Sequence, residues 1–159
     1  MAKQVHTGRY TTENQEDIVV FLIGMRINKR MALHKWLPVF FAMPDMIREL
    51  YTNQEELGFL SLENYFGLRT TMMVQYWRSV EDLHAYARGK KHLTAWRDFN
   101  RKIGNTDTVG IYHESYTIKK HEYEALYSNM PAFGLSKALH KIQVTKERNS
   151  ARKRLGNVK

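Results

Sequence analysis

From its N-terminus the chain alternates short apolar runs of strand character with longer stripes at helical spacing. The first 16 residues are polar and expected to be extended. Residues 17–26 (DIVVFLIGMR) are apolar on both alternating faces, which predicts a strand covered on both sides. Residues 31–56 read as helix, with Leu33, Trp36, Leu37, Phe40 and Phe41 in one stripe and Met46, Ile47, Leu50 and Tyr51 in a second. Pro44 between the stripes predicts two helical pieces rather than one rod. Strands are predicted over 59–66 and 70–77, an antiparallel pair separated at Gly67. Ser79 with Asp82 three residues on marks a helix start. That helix should run to about residue 103, with a break at Gly89 and a stripe of His92, Trp96, Phe99 and Ile103 facing the sheet. A strand over 108–117, a short helix over 122–128 and the segment NMPAFGL complete the pattern before a basic tail.

The order β-α-β-β-α-β predicts an α+β, ferredoxin-like fold. At 159 residues the chain suits one domain over 1–136, followed by the tail over 137–159. The tail holds eight basic residues and one acid, so it carries seven of the nine net positive charges. The basicity is therefore local, and the tail is expected to be a disordered, solubilising or weakly anion-binding extension. The absence of cysteine excludes disulfides, thiolate metal sites and cysteine nucleophiles. The polar N-terminus and the shortness of the longest apolar run point to a cytoplasmic protein with no membrane partner.

Residues 75–96 (QYWRSVEDLHAYARGKKHLTAW) resemble the strand-to-helix signature of dimeric α/β-barrel proteins, a superfamily that includes the antibiotic-biosynthesis monooxygenases. VVFLIGMRINK (19–29), HKWLPVFFAMPDM (34–46), HLTAWRDFNRKIG (92–104), VGIYHESY (109–116) and the NMP–GL pair (129–135) narrow the likeness. Together they resemble the monooxygenase-like family that includes a fumagillin-pathway oxygenase. The resemblance covers about residues 6 to 136. It implies a homodimer whose two sheets form a barrel, and a pocket between each sheet and its own helices. Relatives on this fold include cofactor-free oxygenases and haem enzymes such as aldoxime dehydratases, so it leaves the cofactor open between none and haem b.

Two histidines could carry chemistry. His92, on the helix stripe with Trp96, could take a proton from a substrate C–H or O–H, or ligate a haem iron. Packing at the core edge is the plain alternative. His113 alternates with Val109, Ile111 and Ser115 on one face of its strand. If that face meets the helices, His113 shares a cavity with His92; if it meets the barrel, it belongs to the dimer interface. Asn100 could polarise a carbonyl, against the plainer reading of a solvent-facing amide. Tyr76, Trp77, Trp96 and Tyr112 are expected as pocket walls, with Tyr76 and Trp77 on opposite faces. Arg26 could meet a carboxylate or a haem propionate, with a surface ion pair as its alternative.

Three functions follow. The first is an oxidoreductase, a small-molecule monooxygenase with a histidine base acting on an apolar or aromatic substrate. The second is a haem enzyme (oxygenase, peroxidase or dehydratase) with a histidine axial ligand. The third is a non-enzymatic ligand- or nucleic-acid-binding module. The RNA-recognition motif shares the element order, but TTMMVQYW lacks its aromatic signature, so nucleic acid is disfavoured. No HExxH pair, dinucleotide fingerprint, Walker loop or GxSxG elbow is present.

Overall fold

A computed structural model describes residues 4–155. A strand β1 (His6–Thr12) precedes the predicted order of β2 (Ile18–Ile27), α1 (Leu33–Thr52), α2 (Gln54–Leu57), β3 (Phe59–Phe66) and β4 (Thr70–Trp77). Then come α3 (Val80–Ala87), α4 (Lys90–Lys102) and β5 (Val109–Ile118). The main sheet has the order β3-β4-β2-β5, with every neighbour antiparallel, the ferredoxin-like arrangement.

Strand alternation divides this sheet into two faces. Val19, Phe21, Ile23 and Met25 of β2 point to the helices, where Val19, Leu50, Phe59, Leu62, Met73, Trp77 and Leu83 form the main core. A second cluster, Met25, Ile103 and Val109, closes the far end beneath Trp36, Phe40 and Phe99. Ser79 caps α3 by accepting the Asp82 N–H, and Gly89 separates α3 from α4, both as predicted.

On the opposite face Gly24 lets the Tyr112 ring lie flat against β2. A Cβ there would stand 2.5 Å from the Thr71 carbonyl oxygen and 2.6 Å from two Tyr112 ring carbons. Gly24→Ala should therefore cost about 1–3 kcal/mol, the usual cost of overpacking, read as a lower urea midpoint. An unchanged midpoint would show that this strand has room for a methyl group.

Three expectations are corrected. Pro44 does not divide the first helix: α1 runs through both Pro38 and Pro44. Both prolines face solvent, while Trp36, Val39, Phe40, Met43, Ile47 and Leu50 pack on the core without interruption. Continuous packing at helical spacing outweighs two missing N–H donors. Second, residues 122–128 form no helix. β6 (Tyr127–Met130) pairs instead with β1, and the Tyr10 and Tyr127 rings stack at 5.1 Å. So short a helix is marginal alone, and the free edge of β1 offers hydrogen bonds.

Third, the segment expected to be disordered is structured over 137–155. It contains α5 (Leu135–Ala138) in part, β7 (Lys141–Gln143), a 3-10 turn (Lys146–Arg148) and α6 (Ala151–Arg154). β7 pairs with β1, giving a second sheet of order β6-β1-β7. Asn14 donates to the Arg154 carbonyl at 2.8 Å, and the Arg154 guanidinium, almost fully buried, meets Glu124 at 2.6 Å. The partners that order this basic segment are distant in sequence: β1 and Asn14 for its later part, Tyr51 and Leu62 for Lys137, and Glu124 for Arg154.

Candidate functional site

The helices approach one end of the main sheet where α3 hands over to α4. Here Tyr86, three residues beyond the core residue Leu83, turns inward. Its ring touches Trp77 at 5.4 Å and His92 at 5.6 Å. A cleft of about 190 Å³ opens beside them, lined by Glu49, Leu57, Asp82, Tyr86, Gly89 and His92 among others. The Nδ1 of His92 is buried and has no hydrogen-bond partner among the described residues. Such an atom costs roughly 1–3 kcal/mol of desolvation unless a ligand or water satisfies it. Burial first, and then the Glu49 carboxylate, push the Tyr86 hydroxyl up to about 12, so it stays a proton donor at neutral pH. Arg78 and then Ser79 hold the Asp82 carboxyl below its ordinary range, so it is ionised.

A larger groove of about 530 Å³ runs beside Tyr51, Gln54, Leu60 and Arg78. It contains no histidine and none of the buried partnerless side-chain atoms, so chemistry points to the smaller cleft. No group of three or more His, Asp or Glu residues among the described residues could hold a metal ion.

The other expected residues scatter. His113 stands on the helix side, opposite Ile23, with its ring 5.7 Å from Phe21. It is exposed and absent from the lining of the His92 cleft, so the structure does not bring the two histidines together. Trp77 is not a pocket wall: it is 0% exposed, and its indole N–H donates to Gln75 at 3.0 Å. Trp96 does not point inward either; it is 46% exposed and stacks on Phe99. The stripe turns with the helix, so Ile103 and Phe99 reach the core while Trp96 swings toward solvent. Asn100 is exposed, as its plainer reading had it.

Arg26, Tyr76 and Tyr112 lie on the face away from the helices. Arg26 is exposed and makes no ion pair among the described residues. Tyr76 faces Gly134, near Tyr127. Burial first, then Tyr127, Tyr65 and Glu63, push its hydroxyl up to about 12. The residues that sequence reasoning missed are Tyr86 and Glu49. Tyr86 had a signal, its i+3 spacing from Leu83 on the capped helix. Glu49 had none, because its approach depends on how α1 crosses the sheet.

The family model for monooxygenase af470-like proteins matches residues 18–135. A curated relative, monooxygenase af470 of Aspergillus fumigatus, is 26% identical over 140 residues, covering 82% of this chain and 49% of the relative. Among solved structures, an aldoxime dehydratase in complex with butyraldoxime superposes with a TM-score of 0.70 at 15% identity. It covers 86% of this chain and 43% of its own. A second aldoxime dehydratase gives 0.69 at 20% identity, over 87% and 45%. These likenesses carry the fold alone, and the chain spans about half the length of each relative. With the family model spanning most of the main sheet and its helices, the chain belongs to the monooxygenase af470-like family.

Proposed function

We propose that this chain is a subunit of a small-molecule monooxygenase in which His92 is the general base and Tyr86 the proton donor. The buried, partnerless Nδ1 of His92 at the mouth of a cleft carries this reading. A substrate bearing an acidic CH₂ or phenolic O–H would supply the missing partner. Transfer of that proton to His92 leaves an electron-rich anion, and the Tyr86 hydroxyl stabilises its oxygen. The anion reduces dioxygen directly: CH₂ and O₂ become C=O and H₂O, or the O–H and a ring C–H of a phenol with O₂ become the two C=O groups of a quinone and H₂O, with all the electrons supplied by the substrate. The cleft holds one reacting ring or edge, since drug-sized ligands occupy pockets of roughly 300–1,000 Å³.

The same magnitude bears on haem. A porphyrin does not fit a cleft of about 190 Å³ beside His92. His113 is exposed beside Phe21 and lines neither cleft, and Arg26 lies on the opposite face and offers nothing to a propionate there. Hemin titration tests this: the visible spectrum should show no Soret band saturating at one per subunit. Such a band, lost in His113→Ala, would instead favour the haem reading.

The assembly is proposed as a homodimer through the sheet face away from the helices. Val20, Leu22, Met72 and Val74 lie there partly exposed, and Tyr116 is 48% exposed. Relatives twice as long are consistent with two copies here replacing one longer chain. Leu22→Arg should turn a dimer into a folded monomer in sedimentation velocity, whereas an unchanged dimer would move the interface elsewhere.

A further inference from the structure

At the end of the domain opposite the His92 cleft, four large apolar side chains project into solvent: Met31 is 90% exposed, Phe41 64%, Phe66 69% and Leu68 92%. They form one surface. Phe40 holds Phe41 at 5.7 Å and Phe66 at 6.3 Å between ring centroids, joining α1 to the β3–β4 hairpin. The Trp36 indole donates to the Arg30 carbonyl at 3.0 Å, fixing the loop that presents Met31. The Ile27 N–H donates to the Arg69 carbonyl at 2.7 Å, holding the hairpin tip beside that loop. Such patches on soluble domains mark contact sites.

Cations outnumber acids around this tip, where Asp107 and, one turn beyond Phe41, Asp45 are the nearby carboxylates. Residues 18–44 and 64–80 contain no acid, yet Lys29, Arg30 and Arg69 flank the apolar tips. Lys29 is held by Asp107 at 2.7 Å, while Arg30 and Arg69 make no ion pair among the described residues. A second copy meeting this face would bring four unpaired arginines, two from each copy, into one interface. A lipid surface offers the complement: acyl chains for the tips and anionic headgroups for the cations. No helix among the described residues is long and apolar enough to cross a membrane, so the contact is with its surface.

We propose that the Met31, Phe41, Phe66 and Leu68 tip, with Arg30 and Arg69, docks this protein on anionic membranes. The test is sedimentation of the full chain with vesicles of phosphatidylcholine, with and without about one-third phosphatidylserine. Binding should be about tenfold or more stronger to the anionic vesicles and should weaken with salt. The pairs Met31→Glu with Leu68→Glu, and Arg30→Glu with Arg69→Glu, should each abolish it. Their exposed positions leave the circular dichroism unchanged. Failure to sediment with anionic vesicles, equal binding to both compositions, or binding that survives both variants overturns the proposal. A change in self-association in Leu68→Glu without vesicle binding would assign the face to a second copy instead.

Discussion

His92→Ala should lower turnover by about 10²- to 10⁴-fold, the range a positioned general base contributes. The fold should survive, because the lost nitrogen has no partner to orphan. Removing a buried unsatisfied atom offsets the loss of ring packing on Tyr86, so unfolding free energy should move by no more than about 1 kcal/mol. This combination, large in rate and small in stability, distinguishes a reactive histidine from one that merely fills the core edge. His113→Ala should leave turnover within a few-fold, since His113 is exposed and lines no part of the cleft. Tyr86→Phe should fall between the two by removing the proton donor while keeping the ring. Steady-state oxygen uptake with a hydroquinone or 1,3-diketone probe reads all three. A larger loss in His113→Ala than in His92→Ala would move the site to β5.

Trp77→Ala should have the largest effect on stability, about 3–5 kcal/mol in urea unfolding, as expected for deleting a fully buried indole. Trp77 packs edge-on to Phe59 at 5.4 Å and supports Tyr86 at the same distance, so it ties β3 and α3 to the sheet. Its loss also leaves the buried Gln75 carbonyl oxygen without its indole donor. If Trp77 were a pocket wall, the variant would unfold near the parent midpoint and accept larger substrates. A shift of less than about 1 kcal/mol would contradict its place in the core.

Much of the fold was legible because its signals are local. The doubly apolar β2, the antiparallel β3–β4 pair, the Ser79 cap and the break at Gly89 each depend on neighbouring residues. The edges of the structure were less legible because they depend on distant partners. β6 and β7 exist by pairing with β1, and residues 122–128 carry no cue that Tyr127 will stack on Tyr10. Net charge misled for the tail, since Arg154 is buried against Glu124 rather than solvated.

The site was half legible. Phe99 and Ile103 of the helix stripe lie on the sheet side as expected while Trp96 does not, and alternation correctly put Tyr76 and Trp77 on opposite faces. What alternation cannot give is depth. It did not distinguish Trp77, sealed in the core, from Trp96, turned toward solvent. It also left two faces open for His113, which the register Ile23 to His113 assigns to the helix side. Proximity of the two histidines needed the helix crossing geometry, which no single segment encodes.

The central claim is that the His92 cleft performs oxygenation using electrons from the substrate alone. Its most direct measurement is turnover of a hydroquinone or 1,3-diketone probe under ¹⁸O₂ by protein with no added cofactor, with product mass spectrometry. One O₂ should be consumed per product, one ¹⁸O should enter that product, and both should be lost in His92→Ala. Uptake no faster than without protein, or label drawn from water, would contradict it, as would activity that appears only after hemin is added.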